Sequence, residues 1–334
     1  MKKRLKIRIG TRGSELAMAQ TRIVLEKLAK LQLSLEFEVR TIKTAGDRAK
    51  TPESLAKLLS GPSGRGIFVK EIDAALLNRR IDIGVHSMKD VPTYIPKRLK
   101  IGAVLERAVP NDLFISRTGE TIDRLPPGAM IGTSSPRRQL QLKAAFPHLG
   151  VVEIRGNLDT RIRKLMDRRS NIDGIIISAA AFGRLFEANG IPAQELPIEQ
   201  FLPAPGQGAI CIVCRENDKA VQPLLDKIND RKSAAEVGAE RALLARMDAG
   251  CTVPMGAHAT IDDMGLLHLQ AMVGAPNAAP IRAEATGRAE EPNAVAAAVE
   301  MILKSRGAEK ILREMRVPAP KRRKSSPARR ARAK

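Results

Sequence analysis

Residues 82–92 read Asp-Ile-Gly-Val-His-Ser-Met-Lys-Asp-Val-Pro, a short apolar strand that runs into a Lys-Asp pair and stops at a proline. A short apolar run bounded by such residues is typical of a buried strand in an α/β sheet. Ligands bind outside the carboxyl ends of these strands, and Asp90 stands at that end. The alternative interpretation of Lys89 and Asp90 is a solvated surface ion pair, as most charged neighbours are.

Strand and helix patterns alternate on both sides of this stretch. Residues 5–9 and 37–42 are predicted strands, and between them lies an amphipathic helix that Ser14 can cap. The alternation continues to about residue 177 and predicts mostly parallel sheets in two doubly wound α/β domains. From residue 257 three consecutive strands and then helices follow, which indicates a small α+β C-terminal domain.

Length and hydropathy limit the class of protein. The chain has 334 residues, enough for about two or three domains. No stretch approaches the roughly 18 consecutive apolar residues of a membrane span. The basic start leads into a strand rather than into the apolar region of a signal peptide, so we expect a cytoplasmic protein without a membrane partner. Nothing in the pattern demands an assembly, and a monomer is expected.

The net charge of +21 is unevenly distributed. Residues 321–334 hold eight basic residues and no acidic residue, which leaves +13 for the rest of the chain. Such a run cannot bury a core, so we predict a disordered basic tail over 319–334, with weak nonspecific attraction to anionic surfaces and no identified partner. One Tyr and no Trp are too few for the stacking platforms of a single-strand binder, and no specific nucleic acid is expected.

The three cysteines do not form a disulfide or metal-binding pattern. Cys211 and Cys214 lie in an apolar run typical of a buried strand, with no second Cys/His pair at ligand spacing, so no metal site is expected. Cys251 stands in a turn-forming sequence after a helix, where a thiol is accessible. His86 has no second histidine nearby, and we expect a structural or hydrogen-bonding role for it.

Four strand-to-loop junctions each supply arginine. In one of them Ser135 can cap a helix with Pro136 at its first position, which leaves backbone N–H groups and two guanidinium groups in one region. One arginine near a helix start is often a solvated surface group, but four such junctions converge on one cleft. Arginine suits bidentate binding of carboxylates, so we predict a polyanionic ligand. The junctions are Thr11–Ser14, Ser63–Gly66, Thr133–Arg138 and Arg155–Asn157.

Eight blocks of sequence match one family, in order, from about residue 5 to about residue 316. The blocks are Arg12 with Ser14, Ala45–Asp47, Gly64–Glu71, Val85–Pro92, Ile131–Gln139, Arg155–Asn157, Pro205–Gly208 and Gly250–Gly256. Together they closely resemble the porphobilinogen deaminase (hydroxymethylbilane synthase) family. The tail beyond Pro320 lies outside the resemblance.

The resemblance implies a transferase of tetrapyrrole biosynthesis. Family members join four molecules of porphobilinogen, a pyrrole that carries acetate and propionate groups, into linear hydroxymethylbilane with loss of ammonia. The product grows on a covalent dipyrromethane cofactor held by a cysteine thioether, and the motif places that cysteine at Cys251. The implied fold has two domains resembling type 2 periplasmic binding proteins, with the active cleft between them, and a small third domain that carries the cysteine.

Domain boundaries and hinges are part of the same expectation. Domain 1 is expected over 1–105 and 206–227, domain 2 over 106–205 and domain 3 over 228–318. The expected hinges lie near residues 106–110 and 203–208.

The family pattern also assigns site residues. Asp90 is the expected catalytic group: its carboxylate would hydrogen-bond pyrrole N–H groups and assist proton transfer, as the one acidic group in a basic cleft. Phe68 is expected in the core. The expected cofactor-binding residues are Cys251, Arg12, Ser14, Lys89, Asp90, Thr133, Ser134, Ser135, Arg137, Arg138, Arg155 and Gly156. Substrate carboxylates are expected at Arg12, Arg155, Arg161, Arg184 and Gln207.

Two other functions remain open from sequence alone. A noncatalytic binding protein for an anionic solute would share the two-domain fold and need neither Asp90 nor Cys251. A nucleic-acid-binding protein would explain the charge of +21 and would show steep salt dependence. A covalent dipyrromethane adduct would distinguish the deaminase from both.

Overall fold

The computed structural model describes residues 5–31, 34–49, 54, 58, 66–186, 190–248, 253–275 and 278–315. Up to residue 104 the elements are β1 (Leu5–Thr11), α1 (Glu15–Ala29), β2 (Leu35–Thr41), α2 (Ala45–Arg48), α3 (Lys70–Leu77), β3 (Ile83–Ser87) and β4 (Leu99–Val104). A single 3₁₀ turn, Met88–Asp90, follows β3.

The middle of the chain forms β5 (Asp112–Ser116), β6 (Met130–Gly132), α4 (Pro136–Ala145), β7 (Gly150–Val152), α5 (Leu158–Met166), β8 (Gly174–Ser178), α6 (Ala179–Phe186) and β9 (Gln194–Glu195). The last part forms β10 (Ile210–Arg215), α7 (Gln222–Ile228), α8 (Arg231–Arg246), β11 (Met255–Ile261), β12 (Leu266–Val273), β13 (Ile281–Arg288), α9 (Pro292–Ser305) and α10 (Ala308–Met315).

Two five-stranded sheets have the same architecture. The first has the strand order β2-β1-β3-β10-β4 and the second has the order β7-β6-β8-β5-β9. In each sheet one strand runs against the other four: β10 is antiparallel to β3 and β4, and β5 is antiparallel to β8 and β9. These two strands are the ones that the chain enters after crossing from the other sheet. The α/β prediction of two mostly parallel sheets is confirmed.

The third sheet is antiparallel throughout, in the order β11-β12-β13. Residues of α8, α9 and α10 pack on it in one apolar cluster that includes Leu243, Leu269 and Val299. This unit is the small α+β C-terminal domain that the change of pattern after residue 257 predicted.

Burial of both sheet faces explains the apolar runs in the sequence. All five residues of β8 are buried, as are the first five of β10, because helices cover both faces of an α/β sheet. Burial raises the pKa of the Cys211 thiol to about 12 and that of Cys214 to about 11, so both thiols stay protonated and unreactive. Both cysteines thus lie in a buried strand, as their apolar sequence context predicted.

The helix starts that face the cleft have the predicted caps. Ser14 caps α1 by accepting a hydrogen bond from the backbone N–H of Ala17, and Ser135 caps α4 by accepting one from Arg138. Gly156 precedes α5 with a φ of +121°, a conformation that favours glycine. No helix in the described part of the chain is long and apolar enough to cross a membrane.

Candidate active site

A cleft of ≈ 200 Å³ separates the first sheet from the second. An adjoining pocket of ≈ 40 Å³, here called the inner pocket, shares Arg12, Ser14 and Leu16 with it. The cleft is lined by Arg12, Ser14, Glu15, Leu16, Lys89, Arg138, Gly156, Asn157, Leu158, Asp159, Arg161, Ile177, Ser178, Ala181 and Leu185. The inner pocket adds Ala17, Gln20, Phe68, Val85, His86, Ser87 and Asp90.

Seven of the predicted site residues line these two cavities. They come from separate strand ends of both sheets, which the sequence pattern had placed at one edge. They are Arg12, Ser14, Lys89, Asp90, Arg138, Gly156 and Arg161.

Asp90 ends the 3₁₀ turn after β3, and its position is fixed by the residues around it. The N–H of Met88 donates to the carbonyl of Ala209 at 3.0 Å, and the Met88 side chain is buried beneath the turn. The Asp90 side chain is half-buried and makes no hydrogen bond or ion pair within the described ranges. Its carboxylate is thus free to accept a hydrogen bond from a ligand.

Lys89 lies beside Asp90 and is accessible from the cleft. Its Nζ donates to Oε1 of Gln207 at 3.3 Å. The cleft walls replace much of the water around the ammonium group, and this desolvation, with the nearby charge of Arg138, lowers the pKa of Lys89 to about 8. Lys89 is therefore a cation whose charge is sensitive to mildly alkaline pH.

Arg12 is held between an aromatic ring and a carboxylate. Its guanidinium carbon lies 4.3 Å from the centroid of the Phe68 ring, and its Nη2 donates to Oδ1 of Asp47 at 2.5 Å. Asp47 is fixed in turn by a capping box with Thr44. A Cβ on Gly46 would lie 2.1 Å from the same ring, so glycine is needed there. The expectation that Phe68 is a core residue is wrong, because its ring lines the inner pocket under Arg12.

Arg137 and Arg138 bind the same carboxylate, but only Arg138 of the two lines the cleft. Both donate to the fully buried Asp112, Arg137 at 2.8 Å and Arg138 at 2.7 Å. Arg137 also donates to the carbonyl of Leu202 at 2.6 Å and does not line the cleft, whereas Arg138 does. Burial alone would raise the pKa of Asp112, but the two guanidinium charges outweigh it and hold that pKa well below its usual range.

Arg161 belongs to a cluster of like charges on the wall formed by the second sheet. Its Nε donates to the carbonyl of Gly156 at 2.9 Å. Desolvation, followed by the charges of Arg138 and Arg155, lowers the pKa of Arg161 to about 10. Arg155 itself pairs with Glu153 and lies just outside the cleft lining. Like charges in a partly desolvated cleft favour binding of an anion.

Five other predicted site residues make internal hydrogen bonds. Thr133 is fully buried and accepts from the N–H of Ser135 at 3.2 Å, while Ser134 donates to the carbonyl of Ile154. The amide nitrogen of Gln207, also fully buried, donates to Asp112 at 2.8 Å, and Arg184 donates to the carbonyl of Gly208 at 2.7 Å. These bonds shape the loops around the cleft.

One residue of the predicted site, Cys251, lies outside the described residues. Arg65, the arginine of the junction Ser63–Gly66, lies outside them as well.

The expectation that Asp90 is the one acidic group in the cleft is wrong. Glu15 and Asp159 also line it, each in the first turn of a helix, where an acidic side chain interacts favourably with the helix dipole. Asp159 in addition pairs with Arg163 at 3.2 Å. Acidic residues in first turns are a sequence signal that could have identified both.

Sequence reasoning missed two residues that support the site. Asp112 holds Arg137, Arg138 and Gln207 together, and its signal is an acidic residue at the start of an otherwise apolar strand, which must be paired if buried. Gln20 lines the inner pocket and donates to Oγ of Ser87 at 2.7 Å. Its signal is a polar residue one turn after Leu16, on the inward face of α1.

The donors present fit a dipyrromethane with several carboxylates. Arg12, Lys89, Arg138 and Arg161 surround the cleft, and the buried Nε atoms of Arg138 and Arg155 have no partner within the described ranges. No group of three His, Cys, Asp or Glu residues that could hold a metal ion occurs among the described residues. The chemistry of the cleft is that of an anion site, with the carboxylate of Asp90, unpartnered in the described part of the chain, adjoining it.

Comparison with known proteins agrees with this chemistry. The family model "Porphobilinogen deaminase, dipyromethane cofactor binding domain" matches residues 7–223, and "Porphobilinogen deaminase, C-terminal domain" matches residues 234–304. A porphobilinogen deaminase of Brevibacillus brevis is 41% identical over 312 residues, which are 93% of this chain and 97% of the relative. One of Bacillus cereus is 44% identical over 269 residues, 80% of this chain and 85% of the relative.

Solved structures of solute-binding proteins show a weaker likeness. The second substrate binding domain of a putative amino acid ABC transporter from Streptococcus pneumoniae has a TM-score of 0.41 at 12% identity, covering 72% of this chain and 94% of that one. A probable amino-acid ABC transporter extracellular-binding protein from Bacillus subtilis has a TM-score of 0.37 at 14% identity, covering 68% and 90%. Likeness at this level says nothing about activity. On the two family models and the curated relatives, the chain belongs to the porphobilinogen deaminase family.

Proposed function

We propose that this protein condenses four porphobilinogen molecules into linear hydroxymethylbilane with release of ammonia, and that Asp90 is its catalytic residue. The observation that carries the proposal is the carboxylate of Asp90, which has no partner among the described residues and lies beside a cleft lined by Arg12, Lys89, Arg138 and Arg161. A substrate with two carboxylates and a pyrrole N–H needs both kinds of group in one place. Each kind has one task.

The cationic side chains bind the acetate and propionate groups. Arg138 and Arg161 offer guanidinium groups from the second sheet, and Arg12 offers one from the first. Arg155, next to the cleft, extends the same surface, and Lys89 adds an ammonium group. Because the product gains carboxylates as it lengthens, several cations are needed rather than one pair.

Asp90 acts on the pyrrole nitrogen. Positive charge develops on that nitrogen when the aminomethyl group loses ammonia, its methylene carbon staying on the ring, and again before the attacked ring carbon loses its proton. A fixed carboxylate that accepts a hydrogen bond from the N–H stabilises both cationic states and can assist the proton transfer. The buried Met88 beneath the turn keeps the carboxylate in place, so little reorganisation is needed.

The dipyrromethane, when bound, supplies the pyrrole ring to which the first substrate is joined. We assign its thioether to Cys251 from the motif. Arg12, Ser14, Lys89, Arg138 and Gly156 would hold its carboxylates and rings, since all of them line the cleft. Thr133, Ser134, Ser135 and Arg137 support these contacts from behind through the internal hydrogen bonds described above. Arg184 and Gln207, proposed for substrate carboxylates, act mainly by shaping the hinge-side wall.

The two crossings between the sheets support the proposed domain boundaries. Domain 1 comprises 1–105 and 206–227, domain 2 comprises 106–205 and domain 3 comprises 228–318, with hinges near 106–110 and 203–208. Asp112 and Gln207, which are bonded to each other, lie just after the first hinge and within the second. We further propose that the protein is cytoplasmic and that it is a monomer. Sedimentation of the purified protein tests the oligomeric state directly.

The test of the function combines turnover with mass. The purified protein should consume four porphobilinogen molecules and release four ammonia molecules per hydroxymethylbilane, and its denatured mass should exceed the sequence mass by one dipyrromethane. Cys251→Ser should lose both the added mass and the turnover. A noncatalytic anion-binding protein would bind porphobilinogen without releasing ammonia and would have the sequence mass alone, and that result would refute the proposal.

A further inference from the structure

A guanidinium group of α8 binds the backbone that immediately follows Asp90. Nη1 of Arg241 donates to the carbonyl of Val91 at 2.8 Å, and Nη2 donates to the carbonyl of Pro92 at 2.7 Å. One planar group thus holds two consecutive carbonyl oxygens, a geometry that arginine provides and lysine does not. These carbonyls lie one and two residues beyond the proposed catalytic carboxylate.

The segment after the turn has few other polar attachments. The N–H of Val91 closes the 3₁₀ turn by donating to Met88 at 3.1 Å, and the next backbone hydrogen bond along the described chain is the one from Leu99 to Pro96. Pro92 has no N–H to contribute. Arg241 is therefore the main polar contact that fixes where the chain goes after Asp90.

Apolar packing places α8 against the same turn. Val237, one helical turn before Arg241, is fully buried in a cluster with Met88, Val91 and Cys211. The residues that flank Lys89 and Asp90 in sequence thus pack on α8 through their side chains, while Arg241 binds the backbone. Side-chain and main-chain contacts to one helix together restrict the turn.

The position of α8 is itself fixed by Glu240, the neighbour of Arg241. Glu240 is fully buried and accepts hydrogen bonds from Arg107 at 2.7 Å, from the N–H of Gly206 at 2.6 Å and from the N–H of Ala259 at 2.8 Å. α8 is thus tied to both crossing segments and to the third sheet. It ends at Arg246, five residues before Cys251.

The charge of Arg241 has no carboxylate partner within the described residues. Burial lowers the pKa of Arg241. Keeping a partly buried guanidinium without a carboxylate costs free energy, which two carbonyl bonds only partly offset.

We propose that Arg241 is a positioning residue for Asp90. From α8 it fixes the turn Met88–Asp90, so that the reactive carboxylate keeps one position relative to this helix and to the third sheet that Glu240 binds. The inference rests on the proposed role of Asp90.

The test compares Arg241→Met and Arg241→Lys with a matched control, Arg117→Met. Among the described residues Arg117 also binds backbone carbonyls and no carboxylate, the carbonyls being those of Leu165, Ser170 and Ile172, and it does not line the cleft. All variants are assayed as purified holoenzyme, with the intact mass confirming the adduct. Arg241→Met should lower kcat about 10- to 100-fold, because a small misplacement of a catalytic group is costly, and should leave KM within about twofold. Arg241→Lys, which keeps the charge and one donor, should fall between.

The control and the comparison of kcat with KM separate positioning from mere support of the fold. Arg117→Met should keep the wild-type kcat even if its melting temperature falls as far as that of Arg241→Met. In Arg241→Met the loss should fall on kcat with KM nearly unchanged, and Arg241→Lys should recover part of that kcat. A wild-type kcat for Arg241→Met, or equal losses of kcat in Arg241→Met and Arg117→Met, would overturn the proposal.

A parallel measurement on Asp90→Asn distinguishes a failure of the proposed role of Asp90 from a failure of the proposed role of Arg241. If Asp90→Asn turns over normally, the role of Asp90 is wrong and the positioning role with it. If Asp90→Asn is inactive and Arg241→Met is fully active, only the positioning role is wrong.

Discussion

Asp90 and Asp112 are two carboxylates at strand ends on the same side of the molecule, with opposite surroundings. Asp112, at the start of β5, is fully buried and accepts hydrogen bonds from Arg137, Arg138 and Gln207. Asp90, after the end of β3, is half-buried at the inner pocket and has no partner within the described residues. One carboxylate is fully used by the fold, and the other is available to a ligand.

The difference shows how a basic cleft is built around a reactive acid. Two arginine charges keep Asp112 ionised, and Asp112 in return orients Arg138, the one of the pair that reaches the cleft. If an arginine paired with Asp90 in the same way, the Asp90 carboxylate could no longer accept a hydrogen bond from the substrate. Pairing thus separates a structural carboxylate from a catalytic one more clearly than sequence position does.

Loss of the Asp112 carboxylate should have the largest effect on stability. Asp112→Asn leaves two buried guanidinium groups beside a neutral amide, and we expect the free energy of unfolding to fall by about 3 kcal/mol. Urea unfolding measures this, with Asp90→Asn as the control that should stay within about 0.5 kcal/mol of wild type. Equal stability of the two variants would remove the distinction drawn between them.

The same pair predicts a pH dependence of stability. The pKa of Asp112 is lower in the folded state than in the unfolded chain, so its stabilising contribution is present at neutral pH. It is lost as the pH falls below the unfolded value of about 3.9. The difference in unfolding free energy between wild type and Asp112→Asn should therefore shrink toward acid pH, and a constant difference would contradict this.

Substitution of an arginine that lines the cleft should have a smaller effect, and that effect should fall on substrate binding rather than on stability. Arg161→Leu removes a cation that lines the cleft, and we expect the KM for porphobilinogen to rise about tenfold, the loss of one charge-assisted hydrogen bond. Arg163→Leu, on the same helix with its side chain 76% exposed, is the matched control and should leave KM unchanged. Steady-state kinetics decide, and equal KM values in both variants would exclude Arg161 from substrate binding.

Lys89 should give the smallest effect, visible only at alkaline pH. Its pKa of about 8 means that the ammonium is present below that pH and lost above it, among the charges of Arg138, Asp90, Asp112 and Arg137. The value of kcat/KM should therefore fall as the pH rises through 8, because the neutral amine no longer binds a carboxylate. Lys89→Arg should keep kcat/KM constant past that pH. If the alkaline limb of the kcat/KM profile stays at the same pH in Lys89→Arg, the limb reports the titration of another group.

Much of the fold could be predicted from local signals. The strands at Leu5–Thr11 and Leu35–Thr41 and the start of α4 at Pro136 agree with the sequence pattern, because apolar runs and caps are local. The orientation of Arg137 could not be predicted. Successive helix residues point about 100° apart, and only the packing of α4 on the second sheet decides which arginine faces the cleft.

The sequence pattern could predict site residues that follow strand ends. It could not predict contacts between segments that are far apart in sequence. The pairing of Asp112 with Gln207, and the reach of Arg241 to the Asp90 turn, join residues far apart in sequence. Neither contact follows from spacing within a single chain segment, because each depends on how β5, β10 and α8 pack together. The eight family blocks contain most of the predicted residues that line the two cavities, but neither Asp112 nor Arg241 lies in them.

The turnover of Asp90→Asn, in protein whose intact mass shows the full adduct, decides most sharply whether Asp90 is catalytic. The variant should have the adduct and the melting temperature of wild type and a kcat lower by about 10³-fold, because the amide can neither stabilise the cationic pyrrole nor accept its proton. Near-normal formation of hydroxymethylbilane by that variant would show that Asp90 is not the catalytic residue.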